Sequence, residues 1–500
     1  RADGTPVSAA AAEVPILRPE AGAVEQPMDG FLESAAATAA EAIARAGVDG
    51  RAVAAIGISG QMAGIGAVDA AFRPVIPYDS WLDMRCGPYV AEADRRAGAA
   101  VTRLAGCPPM SAHAAKMMWR RHERPAEFAR IARFLTPNAY VAGRLAGLRA
   151  EDAFMDHTFL HFSGCADAEA GRWSPALCDA LGIDAARLPR IVRPAEVVGE
   201  ATAEWAPRFG IAPGTPVVAG CGDTAASVLG AGAVRPGLLL DVAGTAAVLA
   251  ACTDRFVADA GTRTLLTMRS AVPGLWHPLG FVAGGGTNLR WLRDLLAPDG
   301  GYAAMDAEAA AVPPGAEGLF FSPHLGGRNC PAAPALRGAL AGLGWIHRRG
   351  HLARAAMEGV AFEYGRYLSV LRDLLPGFRP TAGIATGGGA ASATWNGIKA
   401  SVLGVPWRRL RRDELATWGA ALLAGHGIGL IPDLAAAAEA AASPEGAAAE
   451  PDPAAAATYA ALLPRFLTVA SVKFNVVGPC LLLMGALALA VWREGLSLSL

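Results

Sequence analysis

Four places in the chain carry glycine where an apolar run ends: Gly60-Gln61-Met62, Gly222-Asp223-Thr224, Gly244-Thr245 and Gly387-Gly388-Gly389-Ala390. Glycine there lets backbone N–H groups approach phosphate oxygens, and a helix N-terminus after it favours negative charge. Each run alone is weak, because glycine after a strand is most often just a tight turn. Together they point to a nucleotide held between two α/β domains. Asp223 adds a carboxylate at a strand end. It can take the proton of a substrate hydroxyl during phosphoryl transfer, or it can cap the helix that follows.

These residues need strands to deliver them. Residues 51–59 (RAVAAIGIS) and 216–222 (PVVAGCG) are short, apolar and followed by glycine or Asp223, as buried strands are. Residues 238–243 and 246–252 read as two strands around Gly244-Thr245. Residues 383–389 form a strand-to-glycine junction. Helical patterns cover 31–47, 114–121, 125–131, 351–374, 394–403 and 417–424. Strands and helices alternate in both halves, so the class is α/β. A composition shift at 224–237 divides the chain into domains 1–230 and 231–428. Residues 429–500 remain as a tail, with an Ala/Glu/Pro-rich stretch at 434–458.

Composition narrows the function. With 53% hydrophobic and 18% charged residues, the 500-residue chain is not intrinsically disordered, and it has ample core for several domains. A net charge of −1 gives no electrostatic handle for nucleic acid. Eight cysteines without a C-x-x-C pair favour a reducing cytoplasm over zinc ribbons or disulfides. The start of the chain, with Asp, Glu and Pro, does not read as a secretory signal. The nine histidines include two pairs at four-residue spacing, His157/His161 and His347/His351, but no H-x-H, and they are read as giving no protein-ligated metal.

In order, GISGQM (57–62), SWLDMRC (80–86), GCGDTAA (220–226), AGT (243–245) and Gly284-Gly285-Gly286 resemble the FGGY carbohydrate kinases, xylulokinases especially. The match continues through PHLGGRNCP (323–331), HLARAAME (351–358), GGGAASATWN (387–396) and ELATWGAA (414–421), covering residues 1–425. The resemblance implies two actin/hexokinase-like (ribonuclease H-like) domains closing over ATP, with phosphate passing to a sugar or polyol hydroxyl. It makes Asp223 the catalytic base. It places Gln61, Met62, Trp81, Asp83, Arg85, Asp156, His157 and Thr224 on the sugar side. Gly244, Thr245, Gly285, Gly286, Gly387, Gly388, Gly389, Ala390 and Asn396 fall on the nucleotide side. Mg2+ would arrive with ATP, the protein would be cytoplasmic, and the family allows a homodimer. Glu358 and Glu414 also match signature positions but read as salt-bridging residues.

The chain departs from the family in four places. Family members open with a strand and an Asp-x-Gly-Thr hairpin; this chain starts beyond it, and Asp3-Gly4-Thr5 is a look-alike turn. Ala63 stands where xylulokinases usually carry His, which opens the substrate to other ketopentoses, polyols or sugar acids. Gly327-Arg328-Asn329 replaces Gly-Glu-Arg. The uncharged run 474–492 has the length of a bilayer span but is read as no true anchor. The rival readings are a sugar- or nucleotide-binding protein without catalysis and a membrane-tethered protein.

Overall fold

The computed structural model describes residues 5–296, 301–412 and 414–471. The run 474–492 and most of the Asp3-Gly4-Thr5 turn lie outside them. Among the described residues, no helix is long and apolar enough to cross a membrane.

The N-terminal half is built round two larger sheets, with the two-stranded pairs Phe154–Asp156/Arg190–Val192 and Ala166–Asp167/Arg172–Trp173 beside them. Strand Ile56–Gly60 pairs in parallel with Pro216–Gly222, which pairs antiparallel with Val197–Glu200. The sequence pattern began the first of these strands at residue 51. Instead Asp49 accepts a hydrogen bond from the Arg51 amide and caps a short 3₁₀ turn, so the strand starts at Ile56. The other edge of Ile56–Gly60 has no strand partner among the described residues, and a cavity of about 440 Å³ lies beside it. An antiparallel sheet of Glu25–Gln26, Pro74–Asp79, Ile65–Val68 and Arg133–Leu135 completes this half.

A seven-stranded sheet forms the C-terminal half, in the order Leu266–Arg269, Trp276–Val282, Ala247–Ala251, Leu238–Ala243, Ala382–Thr386, Trp407–Leu410, Pro444–Ala449. Three neighbouring strands of it, Leu238–Ala243, Ala382–Thr386 and Trp407–Leu410, run parallel. The first two, LLLDVA and AGIAT, are mostly apolar, as strands covered on both faces are, whereas Trp407–Leu410 (WRRL) exposes Arg408. The long helix Arg349–Leu374 packs its Val360, Phe362 and Tyr364 into the core with Leu239, Trp395 and Trp407.

The 434–458 stretch, whose composition reads as a helical or loose tail, begins with helix Leu434–Ala441 and then packs onto the sheet. Pro444–Ala449 (PEGAAA) adds the edge strand to the sheet, and helix Pro453–Ser471 buries Tyr459 and Phe466 in the same core. Pairing with Trp407–Leu410 imposes the strand on a sequence of low strand propensity. Glu358 anchors this helix: its Oε1 accepts from the Tyr459 hydroxyl at 2.8 Å, Arg354 Nε at 2.7 Å and the Gly315 amide at 2.9 Å. That is the ion-pairing role its helix position suggested, whereas Glu414 is exposed beside helix Leu415–Gly427.

Helix Leu415–Gly427 joins the two halves by close backbone approach. A Cβ on Gly230 would meet Leu415 O at 2.1 Å, one on Gly419 Ala226 O at 2.0 Å, and one on Gly57 Ala420 O at 2.2 Å. The helix therefore buttresses both Asp223–Gly230 and the Ile56–Gly60 strand. A single core carries the contact across, with Met62, Ala225 and Val228 alongside Leu240, Ala250 and Ile384.

Candidate active site

Strand register brings the first pair of glycine ends together. Gly60 lies opposite Gly222 in the parallel pair, so the Gln61-Met62 loop and Asp223 leave adjacent strands at the same carboxyl end. Ligands bind at that end of parallel sheets. Met62 packs against Gly222, where an added Cβ would lie 2.5 Å from its Sδ. Gln61 Nε2 donates to Gln26 Oε1 at 3.2 Å, and Tyr78 OH donates to the Gln61 carbonyl at 3.4 Å.

Asp223 opens helix Asp223–Gly230 as its first residue, with Gly222 at the cap position. It is therefore not the N-cap. Its Oδ1 accepts from the Thr224 amide at 2.6 Å and from Thr224 Oγ1 at 3.3 Å. Burial pushes its pKa up from the ordinary 3.8 to about 6, against the two Thr224 hydrogen bonds. A carboxylate of that strength is a far better proton acceptor than a solvated Asp.

Behind Asp223 sits a buried relay. Thr158 Oγ1 donates to Asp156 Oδ1 at 2.5 Å and accepts from the Gly222 amide at 3.1 Å. Asn138 Nδ2 donates to Asp156 Oδ2 at 3.3 Å and to the Ala219 carbonyl at 3.2 Å. Burial raises Asp156 to about 7 and lowers its neighbour His157 to about 4; the His157 ring meets the Ser270 carbonyl at 3.2 Å. Asp156 thus grips the backbone that carries Asp223. Sequence reasoning singled out Asp156 but missed Asn138 and Thr158, whose types carry no signal outside the fold.

The 80–86 segment divides into two parts. Trp81 and Met84 are exposed, at 53% and 57%, whereas Asp83 and Arg85 turn inward. Asp83 Oδ2 accepts from the Val24 amide at 2.9 Å, and buried Lys116 donates to the Ser80 and Asp83 carbonyls, each at 2.9 Å. The Arg85 guanidinium reaches Glu20, Glu25, Asp79 and Asp83 at 2.5–3.0 Å, and Arg120 shares Asp79 at 2.5 Å. Arg85 and Arg120 both lie over the Trp119 ring. The converging carboxylates Glu25, Asp79 and Asp83 are thus occupied by guanidinium groups. Arg85→Lys keeps the charge but not the planar fork, leaving a buried carboxylate oxygen unpaired. The urea midpoint is expected to fall by the equivalent of about 1–3 kcal/mol; an unchanged midpoint refutes the bridging role.

The second pair of glycine ends also converges. Val242 lies opposite Thr386, so the 244–246 turn and Gly387 leave the sheet together. Gly387, at φ +77°, has its missing Cβ 2.9 Å from the Ala243 carbonyl and 3.3 Å from the Gly244 amide. The Gly286 amide donates to the Gly244 carbonyl at 2.9 Å, and Thr287 donates to the Thr245 carbonyl through its amide at 3.2 Å and its Oγ1 at 3.1 Å. The N-terminus of helix Gly285–Leu296 is thereby pinned to the hairpin. Asn396 Nδ2 donates to the Ala390 carbonyl at 2.9 Å, while its buried Oδ1 has no partner among the described residues. Gly244, Thr245, Gly285, Gly286 and Gly387–Gly389 thus form one cluster of small residues and backbone groups, with the Asn396 amide nearby. Such a cluster can cradle phosphates.

Two family descriptions match this chain: "FGGY family of carbohydrate kinases, N-terminal domain" over residues 2–230 and the corresponding C-terminal domain over 240–428. The xylulose kinase of Bacillus subtilis is 27% identical over 429 residues, 85% of this chain and 84% of that protein. The glycerol kinase of Leptothrix cholodnii is 30% identical over 447 residues, 86% of this chain and 87% of that protein. Among solved structures, xylulose kinase from Rhodospirillum rubrum superposes with a TM-score of 0.83 at 32% identity, covering 91% of this chain and 92% of that one.

Proposed function

The chain belongs to the FGGY family of carbohydrate kinases, which makes it an ATP-dependent sugar kinase of actin/hexokinase-like fold, and on that premise we propose that Asp223 is its general base. The carrying observation is Asp223 itself, the first residue of its helix, with only Thr224 bonded to its carboxylate among the described residues and a raised pKa. The substrate hydroxyl donates to the Asp223 carboxylate, which takes the proton as the γ-phosphoryl group is transferred. Catalysis is otherwise positioning and charge stabilisation. The amides of Gly244, Thr245 and Gly285 face the phosphates, and the helix N-terminus that the Gly286 amide pins to the hairpin adds the favourable end of its dipole. Gly387–Gly389, Ala390 and Asn396 take the adenosine end. The hairpin offers no carboxylate, which fits a magnesium ion held chiefly by phosphates and water and supplying charge neutralisation there.

On the sugar side, Gln61, Met62, Thr224 and exposed Trp81 line the substrate, with Asp83 and Arg85 as the frame of the Trp81 segment and Asp156 and His157 behind them. Ala63, held at φ +62° and buried, puts a methyl where xylulokinases carry an imidazole. We therefore read the substrate class as a ketopentose or a related small polyol rather than xylulose alone. The seven cysteines among the described residues are buried free thiols, which suits a reducing cytoplasm.

ADP release from ATP, followed with xylulose, ribulose, glycerol, erythritol and gluconate in turn, is expected to rise with at least one of them. A rate that none of them raises above the sugar-free rate would favour a binding protein without turnover.

A further inference from the structure

Strand Leu238–Ala243 reads LLLDVA, and its one charged residue, Asp241, is fully buried. Lys399, also fully buried, places Nζ 2.5 Å from Asp241 Oδ2 and 3.9 Å from the centre of the Trp395 ring. Tyr364 OH donates to Asp241 Oδ1 at 2.6 Å, and Thr386 Oγ1 donates to the Asp241 carbonyl at 3.0 Å. Burial of two charges this deep is costly, and apolar residues of similar volume often serve stability as well or better. Stability alone is therefore a poor reason for the pair.

Its connections supply a better one. Asp241 lies three residues before Gly244 and one residue from Val242, which pairs with Thr386, the residue before Gly387. Lys399 lies one helical turn beyond Asn396 on helix Ala393–Leu403, and Tyr364 belongs to the long helix beneath the sheet. The Asp241 carboxylate thus ties the hairpin strand to the two helices below it, and the Asp241 carbonyl ties it to the glycine-turn strand through Thr386. We propose that Asp241, Lys399 and Tyr364 are positioning residues that set the 244–246 hairpin against the Gly387–Gly389 turn for ATP. The proposal rests on reading those turns as the nucleotide site.

The test uses the full chain carrying Asp241→Val, Lys399→Met and Tyr364→Phe together, which replaces the charged cluster by apolar groups. With folding verified by melting, its KM for ATP is expected to rise about tenfold or more, since misplacement of bound groups is costly. The KM for the sugar should stay within about twofold, because the sugar side is built on other strands. ADP affinity by calorimetry should fall with the KM for ATP. A folded triple variant with parental ATP and ADP affinities overturns the proposal. If the triple variant does not fold, Tyr364→Phe alone decides: loss of one hydrogen bond is expected to raise the KM for ATP about threefold, and an unmoved value overturns the proposal. Gly388→Leu reports on the underlying reading, because it blocks the glycine turn without touching the cluster. Weak ATP binding there with parental binding in the triple variant sinks the positioning role alone. Parental ATP binding in Gly388→Leu sinks the nucleotide reading and this proposal with it.

Discussion

Turnover of Asp223→Asn is expected to fall about 10²–10⁴-fold, the usual worth of a general base, while ADP affinity by calorimetry stays at the parental value. Asparagine keeps the size and can still accept from Thr224, but it cannot take the proton. The parent should show turnover rising with pH through about 6, the folded-state pKa of Asp223, as the carboxylate loses its proton; the variant should lack that limb. Stability should move the other way. The folded pKa lies above the ordinary 3.8, so the native state binds more protons than the unfolded chain and loses stability as pH rises from 3.8 toward 6. Removing that charge at neutral pH should leave the melting temperature equal or higher. Near-parental turnover would remove Asp223 from the chemistry and leave it a helix-start residue.

Gly388→Leu is the second large effect, and it separates ligand from scaffold. Gly388 is exposed, has no positive φ, and has nothing within 4 Å of where its Cβ would stand. The fold therefore has room for a side chain there, and the melting temperature should barely move. If adenosine lies against this turn, the leucine occupies its place, and ATP affinity should fall about 10²-fold or more, as displaced bound groups do. Gly397→Ala is the matched control. It too meets nothing within 4 Å, lies inside helix Ala393–Leu403, and should stabilise by up to about 1 kcal/mol through helix propensity. Equal ATP affinity in parent and Gly388→Leu would move the nucleotide elsewhere.

The strand ends were legible because their signals are local. PVVAGCG is a strand over the residues its pattern marks, and Leu238–Ala243 is bounded as the pattern drew it. Asp223 stood out because a carboxylate where an apolar run meets a helix is visible from neighbours in sequence. The same locality explains the misplaced start near residue 51: apolar composition does not separate a strand from the capped turn before it.

What the sequence by itself determined was therefore the α/β alternation, the glycine-marked ends and the carboxylate among them, since each depends on residues a few positions apart. Only the tertiary structure decided which ends share a register, Gly60 with Gly222 and Val242 with Thr386. It also decided that Arg85 is spent on Glu20, Glu25, Asp79 and Asp83, that Asp156 steadies the Asp223 backbone through Thr158, and that PEGAAA is a strand. The Asp241–Lys399 pair spans 158 residues and the Arg120–Glu25 pair 95. Contacts of that range are set by where the strands of each sheet and the helices packed on them bring the chain back, and each partner alone has the composition of an ordinary polar residue.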